Sequence, residues 1–210
     1  MRFVDLFCGI GGFHTALSQL GHECVFACDI DESAANVYET NFGIRPSRDI
    51  RECNNLPDFE ILCAGFPCQP FSKSGSQEGF GDETRGTLFH EIMRIVRESD
   101  PSILFLENVP NLERHDEGNT YRVIREAIEE AGYRFWSEVL SPHKFGTPQI
   151  RKRLFMVGIR EDLCCEKEFS FPKESNERTD VRDILDPHDV VGDQYDLTPR
   201  KIEIIETWGQ

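Results

Sequence analysis

Asp5-Leu6-Phe7-Cys8-Gly9-Ile10-Gly11-Gly12-Phe13 joins an apolar run to an amphipathic one, and the reading of this stretch decides the fold. Residues 2–7 predict a β-strand, and the residues after Gly12 predict a helix to about Leu20. A glycine-rich turn between strand and helix lets a ligand approach the backbone and aims helix N–H groups at it. The turn lacks the full G-x-G-x-x-G spacing of a dinucleotide fingerprint. Asp29 ends the next expected strand, residues 23–29, where a carboxylate can take a ribose diol. Turn and acid together predict a nucleoside-cofactor site. S-adenosylmethionine fits better than NAD, because nothing marks a pyrophosphate cradle. A tight turn with a capping aspartate would read the same way on these residues alone.

Outward from the turn, the alternation of strand and helix continues. Asp31 or Ser33 can cap a helix running to about Phe42. Residues 60–64 predict a third strand, leading into a Gly/Ser-rich loop over residues 65–81. Residues 87–99 predict a helix with Leu88, Ile92, Ile95 and Val96 on one side. Residues 102–107 are almost wholly apolar, as in a strand buried on both faces. Residues 119–131 predict a helix stopped by Gly132. Residues 134–140 and 154–159 close the run as two strands without a helix between them, which predicts an antiparallel pair. The expected fold is α/β: a doubly wound, mostly parallel, Rossmann-like sheet with a terminal antiparallel strand and ligands at the carboxyl ends of the strands. Residues 1–160 form the expected catalytic domain. Residues 161–210 read as an acidic, turn-rich extension with a short apolar run at 202–205.

With 210 residues, 39% of them hydrophobic, the chain can bury one core of ordinary size. No apolar run reaches the ~20 residues of a spanning helix, so no membrane partner is expected. The N-terminus is strand-like and carries no signal pattern, which leaves the cytosol as the expected compartment. Eight cysteines and six histidines show no C-x-x-C pair and no zinc-type spacing, so neither a disulfide framework nor a metal is expected. Cys24, Cys28 and Cys63 fall in apolar runs and read as small core residues. The net charge of −15 opposes a DNA-gripping role, which needs a basic surface. Over half of that excess lies in residues 161–210, under a quarter of the length.

Three further segments carry chemistry. In Gly65-Phe66-Pro67-Cys68-Gln69-Pro70-Phe71-Ser72, prolines frame Cys68 and keep its loop from collapsing into helix. A thiol just past a strand end is placed as a nucleophile, although a lone cysteine is more often inert core. Glu107, in Leu106-Glu107-Asn108-Val109, ends a strand so apolar that a glutamate there needs a job or a partner. A partly buried glutamate can hold or donate a proton near neutrality; the plainer reading is a salt bridge to Arg151 or Arg153. In Gln149-Ile150-Arg151-Lys152-Arg153, strand alternation would put Gln149, Arg151 and Arg153 on one face, suited to phosphate or base-carbonyl contacts. A solvated edge strand would look similar.

Taken together, in this order and spacing, these segments resemble the bacterial DNA cytosine-5 methyltransferases of restriction–modification systems. The resemblance runs from Arg2 to about Ile159 and more loosely to about Leu185, and includes Arg85-Gly86-Thr87-Leu88-Phe89. It implies the S-adenosylmethionine-dependent methyltransferase version of the fold and a DNA substrate. Cys68 would attack carbon 6 of a flipped cytosine while Glu107 holds and protonates N3. Arg153 would contact the base carbonyl, with Arg151 beside it, and Asn108 would order the loop under Glu107. Phe7, Gly9, Ile10 and Gly12 would wall the methyl donor, and Asp29 would bind its ribose next to Ile30. Asp49 and Ile50 would flank the adenine, with Pro67 and Leu88 facing the ligand. Gln69, Ser72 and Ser74 match the loop that closes on DNA. The family pattern continues into a DNA-reading domain and a last helix. Their absence here implies a fragment, or one subunit whose partner polypeptide carries the target-recognition region. A tRNA cytosine methyltransferase and a non-catalytic donor-binding subunit are the competing readings.

Overall fold

A computed structural model describes residues 1–67, 88–163, 169–175, 177, 179–186 and 196–208. Six strands form one sheet: β1 (Arg2–Leu6), β2 (Glu23–Cys28), β3 (Ile61–Ala64), β4 (Ile103–Asn108), β5 (Tyr133–Leu140) and β6 (Arg153–Arg160), in the order β2-β1-β3-β4-β6-β5. The pairings from β2 through β4 are parallel; β6 runs antiparallel to both β4 and β5. β6, the last of these six in sequence, is therefore not the last in the sheet, because it inserts between β4 and β5. Among the described residues, five α-helices accompany the strands: α1 (Gly12–Gln19), α2 (Glu32–Phe42), α3 (Leu88–Ser99), α4 (Asn119–Glu130) and α5 (Pro199–Trp208). The fifth was not expected: the apolar run at 202–205 lies inside it, in a region that reads as turn-rich.

Helices cover both faces of the sheet. Ile92, Ile95 and Val96 of α3 and Ile124 and Ile128 of α4 pack with Val4, Leu62, Leu104, Leu106 and Met156 in the main core. On the other face, Leu17 of α1 packs with Phe3, Ile61 and Cys63, and Tyr38 of α2 with Cys8 and Ala27. Local signals account for the helix ends. Asp31 caps α2 by accepting the Ser33 and Ala34 N–H groups, and Gly132 follows α4 with φ 87°. The expected strand over residues 149–152 is corrected: these residues form a loop and β6 begins at Arg153, opposite Leu140. Strand alternation therefore does not place Gln149 and Arg151 on a common face with Arg153.

Candidate active site

β1 stops one residue sooner than expected because Phe7 turns left-handed, with φ 56°, followed by Gly9 at 53° and Gly11 at 94°. For a phenylalanine that conformation is costly, and it is held by ties to the neighbouring strand end. The Cys8 N–H donates to the Cys28 carbonyl at 3.0 Å, and the Gly9 N–H to Asp29 Oδ2 at 2.6 Å. Asp29 Oδ1 accepts the Asp31 N–H at 2.8 Å. At Gly11 a side chain is excluded on two counts, since an added Cβ would stand 2.1 Å from the Phe42 ring. Gly12 has open space around it.

At the carboxyl ends of β1, β2 and β3 lies a cavity of about 310 Å³, lined in part by Phe7, Asp29, Ile30, Asp49, Ile50, Pro67 and Leu88. Gly9, Ile10 and Gly12 are not in its wall. Gly9 stands behind Asp29, Ile10 is exposed, and Gly12 opens α1. Asp49 is engaged by Arg51, whose side chain and backbone N–H hold its carboxyl below the usual range.

Glu107 stands beside this cavity. An added Cβ at Gly65, which lines the cavity, would be 3.7 Å from Glu107 Oε2. Its other oxygen pairs with Arg153 Nε at 2.7 Å. Glu107, Arg151 and Arg153 together line a second cavity of about 360 Å³, walled also by Phe145, Phe155 and Pro172. The buried Asn108 side chain donates to the Phe66 carbonyl at 2.9 Å and accepts the Val109 N–H. It thus pins the segment that leads into Cys68. Cys68, Gln69, Ser72 and Ser74 lie outside the described residues.

Residues 1–210, the whole chain, match the family described as C-5 cytosine-specific DNA methylase. The chain belongs to that family. It is 46% identical to the type II methyltransferase M.HhaI of Haemophilus parahaemolyticus, over 99% of this chain and 64% of that one. To M.MspI of Moraxella sp it is also 46% identical, over 91% of this chain and 45% of the relative. It thus spans about half to two thirds of the length of these relatives. A crystal structure of a Spodoptera frugiperda DNMT2 mutant shares the fold with TM-score 0.76 at 23% identity, covering 98% of this chain and 65% of that one. A crystal structure of S. pombe Dnmt2 methyltransferase does so with TM-score 0.72 at 22% identity, covering 100% of this chain and 66% of that one.

Several features of the site carry little signal in the sequence. Cys28, Arg48, Arg51 and Gly65 also line the first cavity; Gly65 could have been found from its place just after β3. Asp5 lies fully buried near the glycine turn, and among the described residues its Oδ1 has no hydrogen-bond partner. Oδ2 faces the Tyr38 hydroxyl at 3.5 Å, which in turn lies 2.7 Å from His14 Nδ1. Burial pushes the Asp5 carboxyl up to about 8, which the His14 backbone N–H and the Tyr38 hydroxyl only partly offset. Burial also raises the thiols of Cys8, Cys24, Cys28, Cys53 and Cys63 above the usual cysteine range. These five are thus poorly suited to act as thiolates. Among the described residues no group of His, Cys, Asp and Glu is placed to hold a metal, and no helix is long and apolar enough to cross a membrane.

Proposed function

We propose that this chain transfers a methyl group from S-adenosylmethionine to carbon 5 of cytosine in DNA. The observation that carries the reading is the place of Glu107, between a cavity suited to a nucleoside and a second cavity bearing two arginines. The first cavity fits the donor: Asp29 offers a carboxylate to a ribose, while Phe7, Ile50 and Leu88 offer apolar walls to a base. Bound there, S-adenosylmethionine would supply an electrophilic methyl group on its sulfonium. Glu107 would hold the cytosine at N3 and protonate it, withdrawing charge from the ring. Arg153 would keep that carboxyl in place and meet the base carbonyl, with Arg151 beside it. Cys68, whose lead-in segment Asn108 pins, would form a bond from Sγ to carbon 6. Carbon 5 would take the methyl group as the sulfonium leaves as a neutral thioether; the carbon-5 proton would pass to a water molecule, its electron pair would expel the Cys68 thiolate, and N3 would return its proton to Glu107 as the ring is restored. The depressed reactivity expected of the five buried thiols supports Cys68 as the nucleophile.

The proposal extends to a second segment or polypeptide that reads the target sequence and brings the pair to DNA at the nucleoid. The charge of −15 supports this, because phosphate binding must draw on lysines and arginines from somewhere. Gln69, Ser72 and Ser74 would close on the DNA. The test is Glu107→Gln, assayed with whatever partner activity requires. Methyl transfer should slow by on the order of 10²–10⁴ if the residue acts as a general acid, with donor affinity nearly unchanged. A large loss of donor affinity at normal turnover would rule the role out.

A further inference from the structure

Ser141 stands immediately before a single-turn helix, Pro142–Phe145, where a serine side chain ordinarily accepts that helix's own first N–H groups. Asp31, Asp49 and Asp180 do this at the corresponding positions of their helices. Ser141 makes no such bond. Its Oγ instead accepts the Arg151 N–H at 3.1 Å, ten residues on, and lies 2.8 Å from His143 Nδ1. With one proton and two lone pairs, this buried hydroxyl can accept the Arg151 N–H and still hydrogen-bond the His143 ring in either tautomer.

The position of this tie matters. The β5–β6 ladder ends at the Leu140–Arg153 pair, and Ser141 is the next residue beyond it. A loop separates the two strands, and Arg151 and Arg153 emerge from its far end into the cavity that Glu107 and Ser141 also line. Arginine side chains are long and lose precision wherever their backbone is loose. A reacting geometry displaced by about 1 Å can cost on the order of a hundredfold in rate.

We propose that Ser141 is a positioning residue for this arginine pair: its hydroxyl, backed by His143, fixes the backbone of Arg151 and so the approach of Arg153 to Glu107. The effect on rate rests on the methyl-transfer reading above; the hydrogen bond itself does not. The test compares Ser141→Ala and Ser141→Thr with wild type, each supplied with the partner that activity requires. In Ser141→Ala, kcat should fall roughly tenfold or more. The donor KM and the unfolding temperature should stay near those of wild type. Amide exchange at Arg151 should accelerate while that at Val157 stays slow. Ser141→Thr, which keeps the hydroxyl, should recover both kcat and the slow exchange. An unchanged kcat in Ser141→Ala with an active wild type overturns the assignment, as does a donor KM that worsens in step with kcat. A wild type without methyl transfer would overturn the proposed function instead, and exchange at Arg151 would then decide the positioning role: unchanged exchange in Ser141→Ala refutes it.

Discussion

Replacing Asp5 by asparagine removes a buried acid whose titration should shape the stability of the whole domain. Its carboxyl is raised from 3.8 to about 8, chiefly by burial, so between these values the folded chain keeps a proton that the unfolded chain has released. The stability this group contributes is fully present below about pH 4 and is lost as pH rises through about 8. Raising the carboxyl from 3.8 to about 8 amounts to on the order of 5 kcal/mol over the full window. Between pH 7 and pH 8, as the folded-state carboxyl begins to ionise, the loss is about 1 kcal/mol. His14 and His90, whose values burial lowers, act in the opposite sense, and mainly below the ordinary histidine value of 6.5. The five buried thiols, also raised by burial, act in the same sense as pH approaches the ordinary cysteine value, so the difference between wild type and Asp5→Asn in urea unfolding at pH 7 and pH 8 isolates the aspartate. Wild type should lose about 1 kcal/mol more than Asp5→Asn across that interval. The amide changes the stability at every pH as well, so the slope decides and the absolute stability does not. Equal slopes in the two proteins would refute the assignment of a buried, protonated Asp5.

The glycine turn offers a paired comparison. Gly11→Ala must place a methyl group against Phe42 at a left-handed φ, and should cost about 2–5 kcal/mol, read as a drop of roughly 5–15 °C in the unfolding temperature; Gly12→Ala, with open space, should stay within about 1 kcal/mol of wild type. Similar losses in both would contradict the turn geometry. At Asp29 the carboxylate ties Gly9 and Asp31 as well as offering itself to a ribose. Calorimetry with S-adenosylmethionine should show affinity reduced roughly ten- to a hundredfold in Asp29→Ala and less in Asp29→Asn. Unchanged affinity in both would place the ribose elsewhere.

Much of this architecture is legible in the residues themselves, because short strands, amphipathic helices and glycine or aspartate punctuation agree locally. What is not legible depends on distant partners. Phe7 belongs by composition to β1, yet ties to Cys28 and Asp29 favour a left-handed turn there. The insertion of β6 between β4 and β5 is a choice of neighbour, which no periodicity encodes. Gln149, Arg151 and Arg153 have strand-like spacing, but the ladder begins only at Arg153, so the spacing in the loop carries no facing information. Glu107 stands out because a charge in an apolar strand demands a reason, and its pair with Arg153 supplies the plainer of the two. Asp5 gives the same signal within Phe3-Val4-Asp5-Leu6, a charge in an apolar strand.

Covalent trapping tests the central claim most directly. A duplex carrying 5-fluorocytosine, incubated with S-adenosylmethionine, the chain and its required partner, blocks the last step because fluorine cannot leave as the proton does. Wild type should form a denaturant-stable complex, with peptide mapping placing the bond on Cys68, and Cys68→Ser should form none. A stable complex in Cys68→Ser, or a bond mapped to another residue, would contradict the account.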